Sequence, residues 1–270
     1  MFPSANRVTH ARAPRRVGAG PDNTSMRSQA LLRRCVGIVA RRLDRPELVS
    51  ALYAPARQAE HEAVGIGALL AGTLHAGCTY VDVGSNRGQV LKEAVRVAPG
   101  AQHIAFEPIP RLAAELTASF PGVLCRQLAL GATPGAAQFC YFTKLDGWSG
   151  LRRNPEISDE RGAPELIDVR VSTLDVEMAE LTPTLIKIDV EGAELDVLEG
   201  GSSTLARARP LLIFEHVPET ARVYGGSSER LWDLLAELDY LVFSATGAGP
   251  FTRSAFGGPT NVVNWLAAPQ

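Results

Sequence analysis

The chain has 270 residues, with 27 lysines and arginines against 29 aspartates and glutamates and a hydrophobic fraction of 46%. That balance excludes a largely disordered or fibrous protein, and no run approaches the ~18 uninterrupted apolar residues of a membrane span. Four scattered cysteines, Cys35, Cys78, Cys125 and Cys140, form no CxxC pair and are too sparse for a disulfide framework. They read as buried thiols in a reducing, cytoplasmic setting.

The charge is unevenly spread. Residues 1–50 carry ten arginines against Asp22, Asp44 and Glu47, a net of +7, which leaves −9 on residues 51–270 given the total of −2. Residues 1–25, rich in Pro, Gly, Arg, Asn and Ser, have no apolar periodicity and are expected to be a disordered basic tail. Arg15-Arg16 is not followed by an apolar signal region, so export is not expected. Between residues 26 and 43, Leu31, Cys35 and Val39 recur every four positions, with Arg27, Arg34 and Arg41 on the opposite face of a helix. Such a helix either packs on the body with a solvated arginine face or makes peripheral contact with a membrane or an anionic substrate. The first reading is favoured, because surface helices are commoner.

A second helix fits residues 54–75. Gly65-Ile66-Gly67 lies inside it without the preceding strand that a dinucleotide loop requires, and is set aside. Strands and helices then alternate. Strands are expected over 78–83, 102–106, 123–130, 185–190, 211–215, 240–244 and 261–266, with an extended segment over 136–142. Helices are expected over 89–97, 110–120, 193–208 and 227–238. This alternation predicts an α/β fold with a mostly parallel sheet, helices on both faces, and an antiparallel edge made by the last two strands. The organisation expected is a tail over 1–25, a helical segment over 26–75 and one domain over 76–270.

In such sheets ligands bind beyond the carboxyl ends of the strands, and four strand ends carry acids: Asp82, Glu107, the pair Asp189 and Glu191, and Glu215 followed by His216. Acids at the same structural position four times point to one shared site. The first loop reads Asp82-Val83-Gly84-Ser85-Asn86-Arg87-Gly88, whose glycine spacing is not GxGxxG and whose leading carboxylate would repel a pyrophosphate. This argues against a nicotinamide cofactor. Glu107, 25 residues after Asp82, is placed to accept both hydroxyls of a ribose. Together these features suit S-adenosylmethionine, which has no phosphates and carries an ammonium and a sulfonium.

The stretches Asp82 to Gly88, Phe106-Glu107-Pro108, Ala129-Leu130-Gly131, Ser172-Thr173-Leu174-Asp175 and Ile186-Lys187-Ile188-Asp189-Val190-Glu191-Gly192-Ala193-Glu194 occur in an order that resembles the FkbM-type methyltransferases. The resemblance covers roughly residues 60–266, and the run from Lys187 to Glu194 is its most specific part. It implies a Rossmann-like class I methyltransferase fold, S-adenosylmethionine as methyl donor, and O-methylation of a sugar, glycolipid or polyketide-type natural product. Two departures stand out: Ser85-Asn86-Arg87 replaces a commoner small and apolar loop, and the arginine-rich N-terminus is an addition.

On this reading Gly84 and Gly88 give the backbone access to the cofactor, and Asn86 bonds its amino-acid end. Asp82 meets that end directly or through water, or caps the next helix. Gln127, Leu128 and Ala129 line the adenine edge. Asp189 and Glu191 sit where the transferred methyl should lie, and the general base is sought among Asp189, Glu191, Glu215 and His216. His216 suits the task chemically, and a hydrogen-bonded structural histidine is an equal reading. A divalent metal on Asp189, Glu191 and Glu215 ranks below metal-free catalysis. Lys187 pairs with a carboxylate. The loop from Lys144 to Arg153 reads either as a sugar-stacking lid around Trp148 or as a surface loop with its indole tucked inward. The acceptor is expected to be a small molecule or a lipid-linked glycosyl group. Nucleic acid is disfavoured by the acidic body. The competing readings are a methyltransferase for another acceptor and a non-catalytic cofactor-binding protein of the same fold.

Overall fold

The computed structural model describes residues 46–154, 157 and 163–270. The tail expected over 1–25 and the helix expected over 26–43 lie outside them. The chain divides after Pro55, within the helix Pro46–Thr73. The unit from Ala56 to Gln270 carries all the described strands. No helix among the described residues is long and apolar enough to cross a membrane.

The described strands are β1 Thr79–Val83, β2 Gln102–Phe106, β3 Leu124–Arg126, β4 Ala129–Leu130, β5 Gly135–Tyr141, β6 Glu165–Ser172, β7 Leu185–Ile188, β8 Leu211–Glu215, β9 Tyr240–Ser244 and β10 Asn264–Pro269. Seven form one sheet in the order β3-β2-β1-β7-β8-β10-β9, parallel from β3 through β8. β10 runs antiparallel to both β8 and β9. Every residue of β1 and β7 is buried, as expected of central strands covered on both faces. Val81, Val83, Ile186 and Ile188 pack on one side with Leu198, Leu205 and Leu235. Tyr80, Leu185 and Ile213 pack on the other with Leu70, Leu91 and Leu116.

Three expectations are corrected. The single strand over 123–130 is two strands: β3 edges the large sheet, and β4 joins β6 and β5 in a second, three-stranded sheet of order β4-β6-β5. Strand β6 falls between the extended segment over 136–142 and the strand over 185–190, where no strand is expected from the sequence. The helix over 193–208 is broken into Glu194–Glu199 and Ser202–Ala208 at the glycine pair Gly200-Gly201, and Gly200 lies so close to the Gly131 carbonyl that a Cβ would collide with it.

The helix Pro46–Thr73 is fastened to the sheet by Glu62. Its buried carboxylate accepts the backbone N–H groups of Val263 and Asn264 at 3.1 Å and the Asn264 side-chain amide at 2.9 Å, where β10 begins. Gly65 sits mid-helix against the Ala245 carbonyl, which gives that glycine a packing reason.

Candidate active site

The strand order reverses at β1. The chain steps outward to β2 and β3, then returns on the far side of β1 as β7, so the loops after β1 and β7 part and leave an opening at their carboxyl ends. A cavity of about 310 Å³ occupies it. Its walls combine apolar Val83, Phe106, Leu128, Ala129 and Leu130 with the polar Asn86, Glu107, Asp189 and Glu191.

The loop after β1 is pinned to β2 by N–H groups of Gly84 and Ser85, which both donate to the Phe106 carbonyl at 3.0 and 3.1 Å. Gly84 has φ +76° and abuts the Asp189 carbonyl, which leaves no room for a side chain. Gly88, at φ +73°, is wedged against the Leu116 and Phe120 side chains and does not line the cavity. The atoms that demand glycine at both positions are thus protein atoms. Asn86 adopts φ +48°, a region asparagine tolerates.

Glu107 is buried at the cavity wall. One carboxylate oxygen accepts the Asn86 N–H and the other the Ile109 N–H, both at 2.8 Å, so each keeps a further lone pair. Burial pushes its pKa up to about 7 against the pull of these two N–H groups.

Asp82 and Lys187 are register partners across β1 and β7, and both are buried. The Lys187 ammonium lies 3.0 Å from Asp189 and 3.5 Å from Asp82, and donates to the Gly84 carbonyl at 3.2 Å. Burial works against this charge, but Asp189 and Asp82 outweigh it and hold the ammonium above the ordinary lysine range. Asp82 lies behind the cavity rather than on its wall, with its pKa raised by burial. The helix Gln89–Val97 is capped by Gly88 without any side-chain bond, so Asp82 does not cap it.

Beyond β7 the chain turns sharply. Glu191 takes φ +59° and Gly192 φ +106°, and the buried Glu194 accepts the N–H groups of Val190 and Gly192 at 3.1 Å. Glu194 thereby fixes the turn that presents Asp189 and Glu191 to the cavity. Sequence reasoning assigned it no role, although a glutamate just after a Gly-Ala turn is a signal for such an anchor.

The other two base candidates fall elsewhere. Neither Glu215 nor His216 lines the cavity. The buried His216 ring bonds the Ser228 hydroxyl at 2.8 Å and stacks on Phe256 at 5.3 Å, and burial pushes its pKa down to about 4. These surroundings match the structural-histidine reading. Among the described residues no three His, Cys, Asp or Glu side chains are grouped as a metal ion requires.

Burial, together with Asp189, Glu191 and Glu194, pushes the Glu215 carboxyl up to about 9. The unfolded chain ionises near 4.5, so this group's contribution to stability is full below that pH and is lost as pH rises toward 9. Glu215→Gln, which keeps a neutral side chain, is therefore expected to be more stable than the wild type at pH 7 to 8, by a margin that grows as pH rises through this range. The advantage should vanish near pH 4.5. Denaturant melts across this range check it, and equal stability at pH 8 overturns it.

The segment after β5 closes one side of the cavity. A 3₁₀ turn, Asp146–Trp148, places Asp146 and Gly147 on the wall and leaves Trp148 36% exposed outside it. The inward-tucked indole is thus not observed. Asp146 is buried and receives Arg87 at 2.7 Å and Arg111 at 2.9 Å. The arginine that distinguishes the first loop thus has a partner. Further along, Arg152 donates its N–H to the Tyr224 hydroxyl at 2.9 Å. Of the adenine-edge candidates, Leu128 and Ala129 line the cavity, whereas Gln127 is exposed.

Residues 82–242, more than half of the chain, match the family model of the methyltransferase FkbM domain. The chain is 32% identical over 154 residues to methyltransferase sdnD of Sordaria araneosa, a match covering 44% of this chain and 59% of that protein. It is 28% identical over 193 residues to the AMB antimetabolite synthetase AmbE of Pseudomonas aeruginosa, covering 57% of this chain and 9% of that protein. The chain therefore spans less than two thirds of either relative. Among solved structures, methyltransferase FkbM from Methylobacillus flagellatus aligns at 17% identity and TM-score 0.45, over 72% of this chain and 44% of that one.

Proposed function

The chain belongs to the FkbM methyltransferase family, and from that premise we propose that it is an S-adenosylmethionine-dependent O-methyltransferase acting on a hydroxyl of a sugar, glycolipid or polyketide-type natural product. The observation that carries this reading is the donor set of the cavity: Glu107, Asp189 and Glu191 among apolar walls, with Lys187 and Arg87 already tied to carboxylates. Such a set suits a ligand with cationic groups, vicinal hydroxyls and a flat base, and disfavours a diphosphate.

When bound, S-adenosylmethionine supplies a methyl group on a positively charged sulfur. Glu107 would hold its ribose hydroxyls, and Asn86 and the Gly84 backbone its amino-acid end. Asp82, behind the wall, adds negative potential there. Leu128 and Ala129 would cover the base. Asp189 and Glu191 then receive the acceptor, hold its hydroxyl in line and take up its proton, which is where a weak oxygen nucleophile needs help. The match to an antimetabolite synthetase supports a natural-product acceptor, and the net charge of −9 on residues 51–270 speaks against nucleic acid. Peripheral membrane contact, which would suit a lipid-linked acceptor, falls to the arginine-rich stretch of residues 26–43.

Calorimetric titration with S-adenosylhomocysteine, with NAD as control ligand, tests the cofactor. Micromolar binding of the first alone is expected, and binding of NAD instead would overturn the reading. Glu107→Ala should weaken S-adenosylhomocysteine by about 10²-fold, the worth of hydrogen bonds to a charged group. Unaltered affinity would remove Glu107 from the ribose.

A further inference from the structure

The two backbone groups that grip Glu107 belong to Asn86 and Ile109. The two guanidiniums that grip Asp146 belong to Arg87, the next residue, and Arg111, two residues on, and both meet the same oxygen, Oδ2. Glu107 and Asp146 thus bridge the same two elements, the loop after β1 and the start of the helix Pro110–Ser119. Arg111 is further fixed by the Tyr141 hydroxyl at 3.2 Å and by Glu115 at 2.7 Å. Gly147, next to Asp146, faces the Asn86 side chain, which a Cβ added at this glycine would touch, and both line the cavity. At Gly150 an added Cβ would meet the Tyr224 hydroxyl and Glu191, and Asp146, Gly147, Ser149 and Leu151 all line the cavity, so the segment 146–152 straps it from its Glu107 end toward its Glu191 end.

We propose that Asp146 is a positioning residue of the cofactor site, acting through the two arginines. Its one negative charge binds two guanidiniums that would otherwise repel each other and spread the cradle of Glu107. The Arg87 and Arg111 side chains are 58% and 43% exposed, so the repulsion released by losing Asp146 is partly screened by salt. The effect on ligand affinity rests on the cofactor reading above. The mechanical role of the strap does not.

Two measurements on the full chain test this. In the ligand-free protein, Asp146→Asn should speed amide hydrogen exchange over 142–150 and 86–88 while leaving the central strands protected, and unchanged exchange in those segments overturns the proposal. In titration with S-adenosylhomocysteine, D146N should lose about tenfold or more in affinity, the scale of a lost charge-assisted bond. Adding Arg87→Met to D146N should recover most of that loss, because it removes one of the two repelling charges. High salt should narrow the gap between D146N and wild type. A double variant as weak as D146N or weaker overturns the mechanism, since general loosening or a direct ligand contact gives no recovery. Altered exchange in D146N with no S-adenosylhomocysteine binding by the wild type would leave the strap standing and sink the cofactor reading instead.

Discussion

Lys187→Met is expected to lower the unfolding free energy by about 3–5 kcal/mol, the scale of removing one partner from a buried ion pair. The substitution fits the space, so the cost is electrostatic. Asp82 is 1% exposed, and among the described residues its counter-charge is the Lys187 ammonium 3.5 Å away. Without Lys187 the carboxyl must stay ionised in an apolar setting or take up a proton, and either is unfavourable at neutral pH. The same change frees the Gly84 carbonyl, so the loop bordering the cavity loosens with the core. Adding Asp82→Asn should recover a large part of the loss, because the buried site then holds no lone charge. Urea unfolding at pH 7 reads both effects. A K187M protein as stable as the wild type, or one that Asp82→Asn does not rescue, would show that this pair is not the keystone of the switch point.

The pair also shows what the sequence could and could not convey. Strands β1, β2, β8 and β9 are short apolar runs bounded by turn residues, and their positions are legible to within a residue. The acids at the strand ends are legible for the same reason, since the run stops where the polar residue begins. Strand β6 carries a period-two signal, Ile167, Val169 and Val171 against Asp168 and Arg170, but only one of its faces is buried and its charged face reads as loop. The break between the two helices falls at Gly200-Gly201, a glycine pair that the sequence carries as a local turn signal, whereas the approach of Gly131 to Gly200 joins distant segments and is not legible in it.

The cavity wall is partly hidden from sequence for a related reason. That Glu215 ends a strand is a local property, whereas its displacement from the wall follows from long-range pairing. β10 inserts beside β8, with Asn264 opposite Glu215, and the following His216 is drawn to Ser228 and Phe256. Likewise Arg87 and Arg111 are 59 and 35 residues from Asp146, so the bridge over Glu107 becomes visible only in three dimensions. Motif reading supplies the inventory of charges, and the fold decides which of them face one another.

Asp189→Asn should lower methyl transfer by about 10²–10⁴-fold, the usual worth of a positioned general base, while leaving S-adenosylhomocysteine affinity little changed. Of the four base candidates only Asp189 and Glu191 line the cavity, and Asp189 leads because the structure fixes its orientation. Its carboxylate is held at 3.0 Å by Lys187 yet remains 33% exposed, so one oxygen is oriented while the group still reaches the acceptor space. The asparagine amide oxygen can still accept from Lys187, which separates loss of basicity from loss of the fold. Transfer of labelled methyl groups to a panel of sugar and polyketide hydroxyls gives the turnover, and calorimetry gives the affinity. Glu191→Gln run in parallel assigns the proton: a collapse in D189N with a milder loss in E191Q makes Asp189 the base, and the reverse order transfers the role to Glu191. Full turnover in D189N, or a loss confined to cofactor binding, would move Asp189 out of the acceptor site and make its contact with Lys187 purely structural.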